Sequence, residues 1–365
     1  MLTKLFIYNF KIFSMPTELD LTRSKDTHLP DHILNHDLLK TAMIFGPNNV
    51  GKSCFVEALK ILRAVALRIE PPDYGLLDNY ANNLRNEPTT LGVEVILGKN
   101  RYMYAVDVKS IEIKNNNDTV QTRYDIASEF FTKFDLHSNA VTFDKWVLGY
   151  RLRDDNYNDE DRQIFKNWLK NDLVILSLGE SYINCRDETD LYNLSEVVKC
   201  MDLGIKEIRI DPESDSGIRT EYGAVPPDRL TIIHNSGLET GIGKISEGTR
   251  RVIEMGSILI PGSEGKTFVI DEINRKLHPA LTERLIQLFL GDGAEKQLIF
   301  TTHEIRLLDD WLFRRDEAWA VIPEGENHSK IIRFSDGLNN NPPDEKLSLR
   351  EIHDETVRRN SNADE

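Results

Sequence analysis

The chain is short of cysteine. Three occur in 365 residues, Cys54, Cys185 and Cys200, and their spacing fits no metal knuckle or ribbon. Neither a disulfide framework nor a cysteine metal site is expected, and a reducing cytoplasm suits the sequence. Long apolar runs are missing as well. Met1 to Phe13 is apolar but broken by Lys4, Asn9 and Lys11, so it reads as a strand rather than a signal peptide or membrane span. No membrane contact is expected. Positive charge is in deficit, with 45 Lys and Arg against 60 Asp and Glu and a net charge of −15. Grip on nucleic acid needs cations against phosphate, so this balance argues against a general DNA or RNA binder and leaves room for a local basic patch. Sustained heptads are absent, which excludes a long coiled-coil arm, and no internal repeats are found. What remains is 40% hydrophobic residues, enough for the core of one large or two modest domains.

Three short strings stand out against these absences: G-P-N-N-V-G-K-S at 46–53, S-E-G-T-R-R at 246–251 and F-V-I-D-E at 268–272. The first matches a phosphate-cradling loop, G-x-x-x-x-G-K-S. Thr41 to Phe45 before it reads as a short apolar strand. Ser53 to Arg68 after it reads as a helix, because Phe55, Leu59, Leu62 and Ala66 recur at helical spacing. Gly46 and Gly51 let the backbone turn tightly, so that consecutive amides can face phosphate oxygens at a helix N-terminus. The candidate nucleotide-binding residues are therefore Gly46, Pro47, Asn48, Asn49, Val50, Gly51, Lys52, Ser53 and Cys54. Lys52 is expected to reach the β and γ phosphates of ATP, and the Ser53 hydroxyl to ligate Mg²⁺. The competing reading is a glycine turn that binds nothing, and the other two strings weigh against it. Cys54 is expected to be simply buried.

Lys266 to Ile270 reads as a buried parallel strand, and Asp271 and Glu272 close it at the edge where α/β sheets bind ligands. Asp271 suits the Mg²⁺ shell. Glu272 points elsewhere and can take a proton from the attacking water. Gln297 to Phe300 is the next buried strand, and Thr301-Thr302-His303 ends it. His303 is placed to hydrogen-bond the γ phosphate and report its presence, although a lone histidine is more often structural. Between these strands Pro279 opens a helix that Gly291 ends. At 246–251, Ser246 reads as a helix N-cap and Gly248 allows close approach, while Glu247 lies between them. On that segment alone an ordinary capped helix is the better reading. The segment lies just upstream of the carboxylate strand.

These strings, with L-F-I-Y-N-F-K-I-F near the start, resemble the RecF/SMC-like members of the ATP-binding-cassette superfamily. M-D-L-G-I-K-E-I, D-E-I-N-R-K-L-H-P-A-L, Q-L-I-F-T-T-H-E, L-L-D and R-R-D-E-A-W are similar to a bacterial group of small ATPases linked to phage defence and abortive infection. That group includes the ATPases of the PARIS system and those accompanying RloB-type proteins. The resemblance implies an α/β fold: a P-loop NTPase of ABC type, a two-lobed head with a compact insertion replacing the coiled-coil arm. It implies Lys52 and Ser53 for phosphate and Mg²⁺, Asp271 for Mg²⁺, Glu272 as catalytic base, Ser246 and Gly248 as signature and His303 as switch. Asn274 and Lys276 depart from the group's D-E-I-E-R-S-L-H-P, and no glutamine of the Mg²⁺-sensing loop stands out.

The expected organisation is a first lobe at 1–125, a compact mixed or helical insertion at 126–205 whose deletion should spare hydrolysis, a second lobe at 206–337 and a polar tail at 338–365, with a linker at 338–345 and partial disorder beyond it. The first lobe contains a hairpin of Leu91 to Leu97 and Tyr102 to Val108. The acidic run at 154–161 reads as a solvated helix start. The function expected is an ATPase switch that closes as a homodimer or higher homo-oligomer and controls a nuclease or toxin partner. A RecF-like DNA-repair ATPase is the alternative. A self-contained nuclease lacks a further acidic metal cluster, and a transporter subunit would not read Thr249-Arg250-Arg251 after its signature.

Overall fold

The computed structural model describes residues 1–68, 87–114, 120–136, 159–177, 182–183, 185–211, 225–324, 328–336 and 348–354. The chain opens with β1 (Leu2–Tyr8), β2 (Thr17–Asp20), β3 (Ile33–Leu34), β4 (Leu38–Leu39) and β5 (Thr41–Phe45). Helix α1 (Lys52–Leu67) follows the phosphate loop, and then come β6 (Thr89–Leu97), β7 (Asn100–Lys114) and β8 (Val120–Asp135). Strands β2-β1-β6-β7-β8 form one antiparallel sheet. The expected hairpin is β6 and β7, turned at Gly98 and Lys99.

The middle of the chain supplies α2 (Asp159–Asn167), β9 (Leu173–Leu176), α3 (Glu188–Lys199), β10 (Ile205–Ile210), β11 (Leu230–His234), β12 (Glu239–Gly241) and α4 (Glu247–Ser257). The remainder is β13 (Thr267–Ile270), α5 (Pro279–Gly291), β14 (Gln297–Thr302), β15 (Ala318–Pro323) and β16 (Ser329–Arg333). A six-stranded sheet runs β16-β15-β5-β14-β13-β9, parallel except for β16. Strands β10, β11 and β12 make a small antiparallel sheet.

Both faces of the parallel sheet are buried, which explains why its strands read as unbroken apolar runs. Alternate residues divide between two cores. Ala42 and Ile44 join β1, β6, β7 and α1, whereas Met43 and Phe45 join α4 and α5. Buried polar groups stitch the layers. The Gln297 side chain accepts from the Leu2 amide at 3.1 Å and donates to the Leu2 and Leu39 carbonyls at 3.0 and 3.2 Å, tying β1 to β14. The R-R-D-E-A-W string builds a second stitch. Arg314 holds Asp316 through Nε and Nη2 at 2.8 and 2.9 Å, and Glu317 accepts from the Thr41 hydroxyl at 2.6 Å, where β5 begins.

Two expectations need correction. Position 126 falls inside β8, and the stretch 126–205 supplies β9, which pairs in parallel with β13. It is therefore part of both large sheets rather than a removable insertion, because four short apolar residues (L-V-I-L) complete the sheet beside the carboxylate strand. The acidic run is not wholly solvated. Asp161 is buried and bound by Tyr102 at 3.0 Å and Lys133 at 2.9 Å, while 154–158 lie outside the described residues. Part of the tail is anchored: Leu349 and Ile352 are buried in the core that α4 and α5 also line, and His353 meets Phe45 edge-on at 4.9 Å between ring centres. Residues 338–347 and 355–365 of that tail lie outside the described residues.

Candidate nucleotide site

The loop at 46–51 joins the end of β5 to α1 at the centre of the parallel sheet. A β-carbon on Gly46 would sit 2.6 Å from the Val321 carbonyl oxygen, so only glycine lets β5 and β15 approach this closely. Asn49 (φ 64°) and Gly51 (φ 93°) both lie in the left-handed region, the backbone feature from which anion-binding nests are built. No side chain caps the α1 N-terminus and its first turn carries no acid, so its amides and positive dipole end are left for an anion. Pro47, Asn48 and Asn49 are exposed. Val50 and Cys54 are buried, so what these two offer is backbone.

The Lys52 ammonium curls back onto the Pro47 carbonyl. Burial lowers its proton affinity, and the Glu272 and Asp271 carboxylates pull it back up. Ser53 donates to Asp271 Oδ1 at 3.0 Å. The residues read as Mg²⁺ and phosphate ligands are therefore brought together from positions more than 200 residues apart. Asp271 is buried and Glu272 half-buried. A Mg²⁺ ion fits this donor set of one carboxylate and one hydroxyl, because Mg²⁺ usually keeps several waters and takes the remaining oxygens from substrate phosphates.

Sequence reading missed two groups here. Thr301 is fully buried and donates to Asp271 Oδ1 at 2.6 Å; its signal was a hydroxyl at the end of the apolar strand that follows the carboxylates in sequence. Lys11 was read only as a break in the apolar opening. Its buried side chain pairs with Glu57 of α1. Burial lowers its proton affinity, while Cys54 and then Asp271 act to raise it. The loop carrying Lys11 lies against the phosphate loop: a β-carbon on Gly51 would come 2.5 Å from Ile12 Cδ1.

His303 follows β14 and is exposed. Ser246 caps α4, accepting from the Thr249 amide at 3.1 Å. Gly248 packs on the turn after the carboxylates, since a β-carbon there would lie 2.9 Å from the Lys276 carbonyl oxygen. Glu247 and Lys276 form an exposed ion pair at 2.8 Å. Among the described residues no hydrogen bond or ion pair joins Ser246, Glu247 or Gly248 to residues 46–53. Arg251 is half-buried beside the buried Glu254. Burial lowers its proton affinity and Glu254 opposes this, with Asp271 a weaker influence in the same direction.

Residues 42–309 match the family described as "AAA domain, putative AbiEii toxin, Type IV TA system". No curated protein matches. Among solved structures, an SMC head bound to the C-terminal winged-helix domain of ScpA is 12% identical at a TM-score of 0.52, covering 91% of this chain and 97% of that one. An SMC head with an extended coiled coil, bound to the C-terminal domain of ScpA from Pyrococcus furiosus, is 11% identical at 0.50, covering 98% and 99%. The SMC head of Thermotoga maritima is 14% identical at 0.46, covering 91% and 98%. At these identities the likeness to the two heads at 0.52 and 0.50 is one of fold, the P-loop NTPase of ABC type.

Proposed function

The chain belongs to this AAA-domain family, and on that premise we propose that it is an ATP-driven switch. ATP binding joins two copies, hydrolysis releases them, and a protein effector reads the state in defence against phage. The observation that carries the reading is the convergence of Lys52, Ser53, Asp271 and Glu272 at one end of the parallel sheet. Lys52 and the loop amides hold phosphate charge. Mg²⁺ bound by Ser53 and Asp271 would offset the charge on the transferred phosphoryl group. Glu272 orients a water and accepts its proton, and the exposed His303 stands ready to sense the γ phosphate. The exposed start of α4, unengaged with its own loop, favours a nucleotide site completed by a second copy. The family description, "putative AbiEii toxin, Type IV TA system", fits a place in a toxin–antitoxin system, and the sequence resemblance supports an effector partner in defence. Protein docking on this fold is consistent with two solved SMC heads bound to ScpA domains.

The test compares wild type, Lys52→Ala and Glu272→Gln. Lys52→Ala is expected to lose ATP binding in calorimetry. Glu272→Gln is expected to bind ATP, remain dimeric in light scattering and turn over about 10²–10⁴-fold more slowly. Normal turnover by Glu272→Gln removes the role given to that carboxylate. Loss of phage protection in Lys52→Ala cells checks the biological half.

A further inference from the structure

Thr301 holds the turn that ends β13 through three bonds. Its hydroxyl donates to Asp271 Oδ1 at 2.6 Å and accepts from the Glu272 amide at 2.8 Å. Its carbonyl accepts from the Ile273 amide at 3.1 Å. Three consecutive residues are thus tied to one residue of the neighbouring strand. The directions are dictated by chemistry. An ionised carboxylate only accepts and an amide only donates, so a hydroxyl with one proton and two lone pairs serves both at once.

Glu272 depends on this arrangement. Its φ is 49°, in the left-handed region that a residue with a β-carbon enters only under strain. Such strain persists where the surroundings over-determine the conformation. Here the Glu272 amide is fixed on Thr301, and the amides on either side are fixed on Leu176 and Thr301 carbonyls at 2.9 and 3.1 Å. The left-handed turn decides which way the Glu272 carboxylate leaves the strand.

Asp271 Oδ1 accepts two hydroxyls, from Ser53 and Thr301. Ser53 is half-buried at the start of α1, and Thr301 is fully enclosed. Ser53 can turn to another partner without losing the carboxylate's orientation, because Thr301 still holds it. Thr302 has separate duties: it donates to Asn274 Oδ1 at 3.0 Å and accepts from the Glu304 amide at 3.0 Å.

We propose that Thr301 is a positioning residue for both acids. It sets the direction of Asp271 and the backbone turn of Glu272 without itself touching nucleotide. The proposal rests on the nucleotide reading above.

The test uses Thr301→Val, which keeps the shape and removes the hydroxyl, Thr301→Ser, which restores it, and Thr301→Ala as a smaller second deletion. ATP binding is measured by calorimetry with and without Mg²⁺, and hydrolysis is followed as a function of Mg²⁺. Without Mg²⁺, Thr301→Val is expected to bind ATP as wild type does. The tightening that Mg²⁺ produces is expected to be lost, and kcat to fall ~10–100-fold, the range seen when a ligand-orienting partner is removed. KM rises in step with the lost tightening, and Thr301→Ser returns these values to near wild type. Wild-type tightening and kcat in Thr301→Val overturn the proposal. So does a Thr301→Ser variant as damaged as Thr301→Val, since the hydroxyl is then not the cause. If Thr301→Val does not melt cooperatively, Thr301→Ala carries the same expectations. A wild-type protein that binds Mg²⁺ and ATP but never hydrolyses it takes down the ATPase reading alone. In that case the Mg²⁺-dependent tightening still decides the role of Thr301.

Discussion

Cys54 sits one residue beyond the hydroxyl assigned to the metal, yet its thiol is removed from chemistry. It is buried, and burial pushes its proton affinity up to about 12, with Lys11 the main opposing influence. A thiol needs its anion to attack, so Cys54 is inert at neutral pH. Cys185 is buried and shifted the same way, whereas Cys200 is exposed. At pH 8 an aromatic disulfide reagent is expected to label Cys200 in the native protein, and Cys54 and Cys185 only after unfolding. Fast labelling of Cys54, assigned by mass spectrometry, contradicts this. The same opposition of burial and neighbouring charge governs Lys52. Residue types and spacing show which groups carry charge. The left-handed turn at Glu272 and the second hydroxyl on Asp271 depend on which strand lies alongside.

At the scale of elements, the placing of β5 rests on a charged cluster that is sealed from water. Arg314, Asp316 and Glu317 are each 1% exposed or less. Removing one member leaves a buried, unpaired charge, so Arg314→Met is expected to cost about 3–5 kcal/mol. Urea unfolding measures it, and a loss under about 1 kcal/mol, the worth of a surface pair, shows that the cluster contributes little. The pH dependence has a defined sign. Burial tends to raise the Asp316 proton affinity, but Arg314 and Ser24 hold it below the ordinary 3.8. Its contribution is therefore complete at neutral pH and is lost only as pH falls below 3.8 toward the folded-state value. The elements themselves were largely legible. The expected strand at Thr41 to Phe45 has the observed limits, and the expected helix after the loop starts one residue earlier, at Lys52. Helix α5 runs from Pro279 to Gly291 as expected, and the backbone leaves it extended at Asp292 rather than through a left-handed residue. The anchoring of 348–354 was not legible, because two apolar residues in a polar stretch carry no periodicity to read.

For the whole molecule, the decisive question is whether a nucleotide site spans two copies. The start of α4 is exposed and turned to its own carboxylate turn rather than to its own loop. Ser246→Arg is expected to leave ATP binding by single chains intact and to abolish ATP-driven dimers. Mixing Ser246→Arg with Lys52→Ala gives a heterodimer with one doubly damaged site and one intact site, so partial turnover is expected to return. Heterodimers that form and stay inactive exclude shared sites. Deleting 126–205 is not a clean test of partner binding, since it removes β9 from the parallel sheet.

The sequence alone determined the chemistry on offer. A glycine loop ending in Lys-Ser, a strand ending in Asp-Glu and a later strand ending in Thr-Thr-His are local patterns. Local geometry forces each to the end of a strand, and the apolar runs behind them demand a sheet covered on both faces. Tertiary structure decided what lies beside what. It placed β14 between β5 and β13, so that Thr301 meets Asp271, and it set β9 at the outer edge of β13. It also laid Ile12 on Gly51 and put His353 against Phe45. Strand order and long-range contact leave no mark in residue spacing, because a strand's side-chain alternation records which faces are buried and not which strand is its neighbour.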